Sequence, residues 1–494
     1  MNLGTFLTDS AARNPRKLAF ALKHGGIAYE QLDRSTTLLA RRLLQQGQKP
    51  GDRIAIHWPN AIEAVKLFFA CFKAGLVAVP VNARMKAPEI AYVLQHSKCT
   101  MYFAHPDLSS VAQEATRGCA ELHAIDTLPE GLDEGDSEIE LPEVEDQTPA
   151  ILLYTSGTTA RPKVVTQTHQ TLLEGAKLMC SSAPDSLQTM LLMTQLTYIS
   201  GIIVGLLPTV ITGGTCILVP MFDAPLVLDL IEQFECTCTF GLPSMIQLLL
   251  EEQVRKPRKV HSLRTFFAAG DCVPVSIQER FQSLFGIPLR ESYGMTESAP
   301  SLANPAHAIR LGSLGKPLYG VDVRIVDPDG NDAPDGKIGE IAVRSPANFV
   351  GYWDDPVSTR DVLRKDWLHS GDLARRACNR SVRRHPDDRC TRICDGANDL
   401  RCYPRRAERP RAAAREHRAR HRHRSLARDC AAGGLLAWAL GDSTARLGVR
   451  LYGRSGQWQA HHRGSLSCQR RKKPSSGTPY SPGTRQTPAS SSTP

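Results

Sequence analysis

The chain has 494 residues, 41% of them hydrophobic, and a formal net charge of +10. That length is too great for one small core and suits two or more domains. The charge is unevenly divided: residues 375–494 hold 25 Arg, 2 Lys and 8 acidic residues, a net +19, whereas residues 1–374 hold 33 basic and 42 acidic residues, a net −9.

The N-terminal stretch Met1 to Ala19 mixes charged residues with short apolar pieces and has no apolar core of a secretory signal. No apolar run approaches the ~18 residues of a membrane span. The longest candidate, Tyr198 to Ile211, is broken by Gly201, Gly205 and Pro208. The 14 cysteines are scattered, which suits reduced thiols better than a disulfide framework. These features lead us to expect a cytoplasmic protein without a membrane span.

Strand and helix patterns then alternate. Gln31 to Leu44 places Leu32, Leu38, Leu39, Leu43 and Leu44 on one helical face. Ile54-Ala55-Ile56 reads as a short strand, Ala61 to Ala74 as a helix, and Leu76 to Val81 as a strand ended by a proline. Such alternation predicts an α/β fold with largely buried sheets. The acidic, proline-containing segment Ser137 to Gln147 reads as an exposed linker.

Ile151-Leu152-Leu153 reads as a buried strand, and Tyr154-Thr155-Ser156-Gly157-Thr158-Thr159-Ala160-Arg161-Pro162-Lys163 follows it. Gly157 lets the backbone turn its N–H groups toward an anion. Thr155, Ser156, Thr158 and Thr159 add donors, and Lys163 brings a cation within reach of a polyphosphate. Pro162 stiffens the turn before that lysine. The spacing is not that of a Walker loop, which needs Gly-Lys-Ser/Thr together.

Downstream, Gln195 to Gly201 follows a strand and contains Tyr198, which from the residues alone reads as a core tyrosine at a helix start. Phe266-Phe267-Ala268-Ala269-Gly270-Asp271 is an apolar strand ending in Gly-Asp. Glu291-Ser292-Tyr293-Gly294-Met295-Thr296-Glu297-Ser298 combines an aromatic ring for a base, a glycine for close approach, a hydroxyl for a phosphate and a carboxylate for a metal. Gly312 to Pro317 and Gly339 to Arg344 bracket a β-rich piece in which Ile338, Ile341 and Val343 form one strand and Val321, Val323 and Ile325 alternate as another. Trp367 to Leu373 ends the legible pattern and carries Asp372, a carboxylate suited to clamping a vicinal diol.

These motifs, in this order, resemble the AMP-dependent synthetases and ligases, most of all the acyl-CoA synthetases for fatty or aryl acids. The resemblance covers residues 1 to about 374. It implies an α/β body of stacked sheets with a small β-barrel subdomain. It implies ATP, Mg²⁺ and coenzyme A, with a small carboxylic acid as substrate. By the same resemblance, Thr155 to Lys163 grips the β- and γ-phosphates, Thr296 touches the α-phosphate and Glu297 holds Mg²⁺, a hard cation that favours carboxylate and phosphate oxygens. Lys163, Thr296 and Glu297 carry the catalytic roles. Tyr293, Gly294, Gly270 and Asp271 surround adenine, Asp372 clamps the ribose, and the stretch Tyr198 to Leu207 borders the acid pocket.

After Ala374 the family's hinge, glycine turn and lysine-bearing C-terminal lid are not legible. The segment 375–494 is Arg-rich and ends in a Ser/Thr/Pro run from Pro474 to Pro494. It reads as a disordered basic tail, as a nucleic-acid-binding extension, or as the product of translation that has left its frame near Ala374. The last accounts best for 25 Arg against 2 Lys. No recognised nucleic-acid module is present, so no specific nucleic-acid partner is expected. Cys390, Cys394 and Cys402 with His385 fit no standard zinc spacing. Acid–CoA ligation slowed by the altered C-terminal part is the expected function; the alternatives are an inactive nucleotide-binding remnant or a nucleic-acid-associated protein acting through the basic tail.

Overall fold

A computed structural model describes residues 2–117, 122, 139–155 and 162–376, with the backbone of 124–125, 400–402, 452–453 and 456–457. The chain divides into two units, residues 1–413 and 414–494. In the second, the described residues are two short antiparallel strands, Tyr452–Gly453 and Gly456–Gln457. The expectations for the Arg-rich tail therefore lie almost wholly outside the described residues.

Two large sheets build the first unit. The seven-stranded one runs in the order Gly351–Tyr352, Lys163–Thr168, Pro149–Thr155, Val77–Pro80, Arg53–His57, Cys99–Ala104, Ala124–Ile125. The nine-stranded one runs Lys316–Pro317, Ser298–Ala303, Leu289–Met295, Thr265–Ala268, Cys238–Gly241, Thr189–Leu192, Thr215–Leu218, Leu18–Ala21, Gly26–Ala28.

Alternate residues of each strand face different cores, as the period of two requires. Ile54 and Ile56 enter one apolar cluster while Ala55 enters another, and Leu192 and Phe267 enter the first cluster while Leu191 and Phe266 enter a third. The first cluster is shared by both sheets and by the helices Leu3–Arg13, Tyr29–Gln45, Ile62–Ala74 and His169–Ser182. The expected α/β layering is present, with buried strands reading as nearly continuous apolar runs.

Local chemistry explains the helix limits. In Tyr29–Gln45 the buried residues Leu32, Leu39 and Leu43 share one face, and the Gln31 side chain accepts from the Ala28 N–H at its start. Helix Ile62–Ala74 ends on Gly75, whose φ of +68° is left-handed and suits a residue without Cβ. The segment Gly201–Leu206 is one turn of wide π-helix, followed by helix Leu207–Thr212. The wide turn buries Ile202, Ile203, Val204 and Leu206 in the shared core. Most of the stretch expected to border an acid pocket is therefore core, and Tyr198 is its exposed member, at 52%.

The β-rich segment expected as a small barrel is an antiparallel sheet in the order Asp322–Val326, Ile338–Arg344, Trp367–Arg376, Leu363–Arg364, with Leu400–Cys402 also paired to Trp367–Arg376. Ile325 stands opposite Ile341 and Val323 opposite Val343, the alternation read from the sequence. None of the described cysteines forms a disulfide. Among the described residues no helix is long and apolar enough to cross a membrane.

Candidate active site

Pro149–Thr155 and Lys163–Thr168 form an antiparallel hairpin that sets Thr155 opposite Lys163. The Thr155 hydroxyl donates to the Lys163 carbonyl at 3.2 Å. The hairpin's connecting residues Ser156, Gly157, Thr158 and Thr159 lie outside the described residues. What is described is their anchorage: two paired strand ends, with Lys163 at one foot.

Lys163 Nζ lies 4.7 Å from the centroid of the Tyr352 ring. The hydroxyl of the same tyrosine donates to Glu297 Oε1 at 2.7 Å. Glu297 is buried, in the tight turn between strands Leu289–Met295 and Ser298–Ala303. Two further bonds fix that turn: Gln167 Nε2 donates to the Thr296 carbonyl at 2.8 Å, and the Phe349 amide donates to the Glu297 carbonyl at 2.8 Å. Burial, then the adjacent Glu297 charge, pushes the Tyr352 phenol well above its ordinary pKa, so it stays a hydrogen-bond donor. Asp355, close enough for the Lys163 charge to act on it, is held below the usual carboxylate range first by its bond to Ser358.

The second group gathers at the carboxyl ends of the parallel strands Cys238–Gly241, Thr265–Ala268 and Leu289–Met295. Carboxyl ends of parallel strands are where open α/β sheets present ligand crevices. Gly270 takes a φ of +92°, and a Cβ there would stand 2.7 Å from Leu242 Cδ2. Gly270 and Asp271 are exposed, and the Asp271 carboxylate accepts from the Cys272 amide at 2.7 Å. The Tyr293 ring is buried in an apolar cluster with Leu178, Leu302 and Leu314, and its hydroxyl donates to Asp372 Oδ2 at 3.0 Å across 79 residues of sequence. A Cβ on Gly294 would lie 3.1 Å from Ala299 Cβ, so the neighbouring strand itself demands a small residue there.

Behind this group sits Glu291. Its two oxygens accept from the Val273 amide at 3.1 Å and from Gln278 Nε2 at 3.0 Å. Burial pushes its carboxyl up to about 7 against those two bonds. The Tyr198 hydroxyl accepts from Asn82 Nδ2 at 2.9 Å.

The structure thus unites Lys163, Thr296 and Glu297 in one cluster and Tyr293 with Asp372 in another. Sequence reasoning missed Tyr352, Gln167 and Glu291 as participants. Tyr352 lies 55 residues from Glu297, and only its place beside a glycine in an edge strand, Gly351–Tyr352, marks it. The donor set fits a magnesium-bound polyphosphate. One buried carboxylate and one lysine leave coordination positions for phosphate oxygens, and no cluster of three metal-ligating side chains occurs among the described residues.

The model of the AMP-binding enzyme family matches residues 7–353. The feruloyl-CoA synthase of an Amycolatopsis species is 34% identical over 384 residues, spanning 75% of this chain and 76% of that protein. O-succinylbenzoate coenzyme A synthetase (MenE) from Bacillus subtilis, solved in complex with AMP, superposes with a TM-score of 0.70 at 26% identity over 81% of this chain and 78% of that one. The N-terminal domain of FACL13 from Mycobacterium tuberculosis superposes with a TM-score of 0.70 at 25% identity, covering 76% of this chain and 97% of that domain. The chain therefore belongs to the AMP-binding enzymes and, among them, to the adenylate-forming acid–CoA ligases.

Proposed function

We infer that the protein joins a carboxylic acid to the α-phosphate of ATP, releasing pyrophosphate, and passes the acyl group to coenzyme A. The observation that carries this reading is the meeting of Lys163 and Glu297 on one tyrosine, Tyr352. A carboxylate attacking a phosphate brings two anions together, so a fixed cation and oriented donors have the largest effect. Lys163 and the hairpin turn from Thr155 through Ser156, Gly157, Thr158 and Thr159 would hold the β- and γ-phosphates. Thr296 would donate to the α-phosphate. Glu297 would hold Mg²⁺, which when bound neutralises phosphate charge. Tyr293, Gly294, Gly270 and Asp271 would surround the adenine, and Asp372 the ribose. Tyr198 would stand by the acid.

Residues 1–374 would form the adenylating body, with the Arg-rich segment 375–494 standing where the resemblance sets a lid. The family model ends at residue 353, and the net charge changes sign after residue 374. That segment carries neither the hinge nor a lysine in the family's pattern, so slow turnover is expected, with thioester formation slowed at least as much as adenylation. An exchange assay between ATP and labelled pyrophosphate, run over a panel of acids that includes ferulate and a medium-chain fatty acid, tests the reading. Acid-dependent exchange with weak CoA-thioester formation is the expected result. Absence of both ATP binding and exchange would remove it.

A further inference from the structure

A lysine and a buried carboxylate brought into one cluster have an easy alternative to binding Mg·ATP: they close on each other as an ion pair. The structure holds an arrangement against this. The Lys163 ammonium lies over the face of the Tyr352 ring, 4.7 Å from its centroid, where the ring's negative face attracts it. The Glu297 carboxylate is engaged at the other functional part of the same side chain, accepting from the hydroxyl at 2.7 Å. One phenol thus occupies the cation and the anion at two separate places.

The tyrosine is itself firmly held. Tyr352 stands opposite Val165 on the strand that Lys163 begins, and its amide donates to the Thr359 hydroxyl at 2.9 Å. The Trp353 amide donates to the Val164 carbonyl at 2.8 Å, and the Phe349 ring meets Tyr352 edge-on at 4.9 Å. The same segment reaches the metal turn through the Phe349 amide bond to the Glu297 carbonyl. Residues 349–353 therefore tie the phosphate hairpin to the turn of Thr296 and Glu297 by backbone and by side chain.

We propose that Tyr352 is a positioning residue for the magnesium–nucleotide complex: it keeps Lys163 and Glu297 apart and orients the carboxylate, leaving its second oxygen, Oε2, for the metal. The proposal rests on the reading of Glu297 as the metal carboxylate, and its test separates the two. A partner that orients a metal-binding carboxylate is worth about 10- to 100-fold in metal affinity. Calorimetric titration of the full chain with ATP, at a series of MgCl₂ concentrations, reads this without turnover. Tyr352→Phe keeps the ring and removes the hydroxyl. It should raise the Mg²⁺ concentration for half-maximal enhancement about 10-fold and leave metal-free ATP affinity within about 2-fold. In a Glu297→Gln background the same change should leave the Mg²⁺ response unmoved, because the metal-binding carboxylate that the hydroxyl orients is already gone, although the Gln carbonyl can still accept from it. Should Tyr352→Phe melt too early to titrate at 25 °C, the titrations of the variant, Glu297→Gln and the wild type are run at 10 °C, where the same shift is expected. If Glu297→Gln leaves the Mg²⁺ response intact, the metal assignment falls. If Glu297→Gln abolishes it while Tyr352→Phe matches the wild type, or shifts both backgrounds equally, the role of Tyr352 falls.

Discussion

The two ends of the proposed nucleotide site are built by opposite means. At the phosphate end, Lys163 and Glu297 are kept from meeting by an aromatic side chain that engages each. At the nucleoside end, Tyr293 and Asp372 are already joined by a direct hydrogen bond, and the tyrosine ring is buried. The chemistry of the ligand explains the contrast. A polyphosphate brings charge, so the groups that meet it must keep their own charge uncommitted. A ribose brings neutral hydroxyls, so a carboxylate there needs orientation more than protection, and a neutral phenol supplies it.

The sharpest way to break the comparison is to remove a charge at the phosphate end. Lys163→Ala and Glu297→Ala should each slow pyrophosphate exchange by about 10²–10³-fold, the usual cost of losing one group aimed at developing charge. Their ATP affinities, measured by calorimetry, should fall too, and for Glu297→Ala the loss should appear only with Mg²⁺ present. Unchanged affinity in both variants would end the assignment of this cluster to phosphate.

The support beneath the nucleoside end gives a pH-dependent effect of the next size. Glu291 ties the loop after Gly270 to helix Val275–Phe285 through Val273 and Gln278. Its carboxyl titrates near 4.5 when unfolded and near 7 when buried. Between those values the unfolded chain binds fewer protons than the folded one, so stability falls as pH rises through the window and levels off above it. Glu291→Gln should abolish that slope. The stability of the variant relative to wild type should then climb by on the order of 3 kcal/mol from pH 4.5 to pH 7. His57 and His169, whose burial holds them near 4 instead of 6.5, work in the other direction. Their contribution is present above pH 6.5 and lost as pH falls toward 4, in both proteins alike, so it cancels in the difference. Urea melts across that range that run parallel for the two proteins would contradict the burial of a titrating Glu291.

A smaller effect is expected from the direct bond. Tyr293→Phe removes one orienting donor from Asp372, and a hydrogen bond to a charged group is worth about 1.5–3 kcal/mol at most. Because Asp372 is only partly buried and water replaces the phenol, the KM for ATP should rise no more than about 10-fold, with little change in kcat. Asp372→Asn should raise it further, since it alters the group proposed to meet the ribose. The reverse order would mean that Tyr293 touches the nucleotide itself.

The sequence made the layers and the phosphate hairpin legible because both are written in local pattern. Leu32, Leu39 and Leu43 mark a helix face, Ile54 to Ile56 and Ile151 to Leu153 mark buried strands, and Lys163 stands at the close of a short polar loop. The partners of those residues were not legible. Tyr352 meets Glu297 only because a two-residue edge strand docks against Lys163–Thr168, and Glu291 meets Val273 only because two parallel strands lie side by side. Neither contact leaves a trace in periodicity or spacing. Tyr198 illustrates the same limit from the other side. Its neighbours Ile202 to Leu206 read as one apolar stretch with it, yet a wide helical turn takes them into the core and leaves the tyrosine outside.

That exposed tyrosine supplies the mildest test. Its hydroxyl accepts from Asn82 Nδ2, while Asn82 Oδ1 accepts from the Arg84 amide at 2.9 Å, so the pair bridges two loops at the surface. A neutral, solvent-reachable bond contributes about 0.5–1 kcal/mol. Tyr198→Phe should therefore lower the melting temperature by only about 1–3 °C. A residue that served the core would cost several times more. If Tyr198 also stands at the acid, as proposed, the variant should change the ranking of acids in the exchange assay while the KM for ATP stays put. Asn82→Ala should reproduce that change in ranking, because it releases the same hydroxyl. A variant that shifts the ATP response but not the acid ranking would move Tyr198 from the acid side of the site to the nucleotide side.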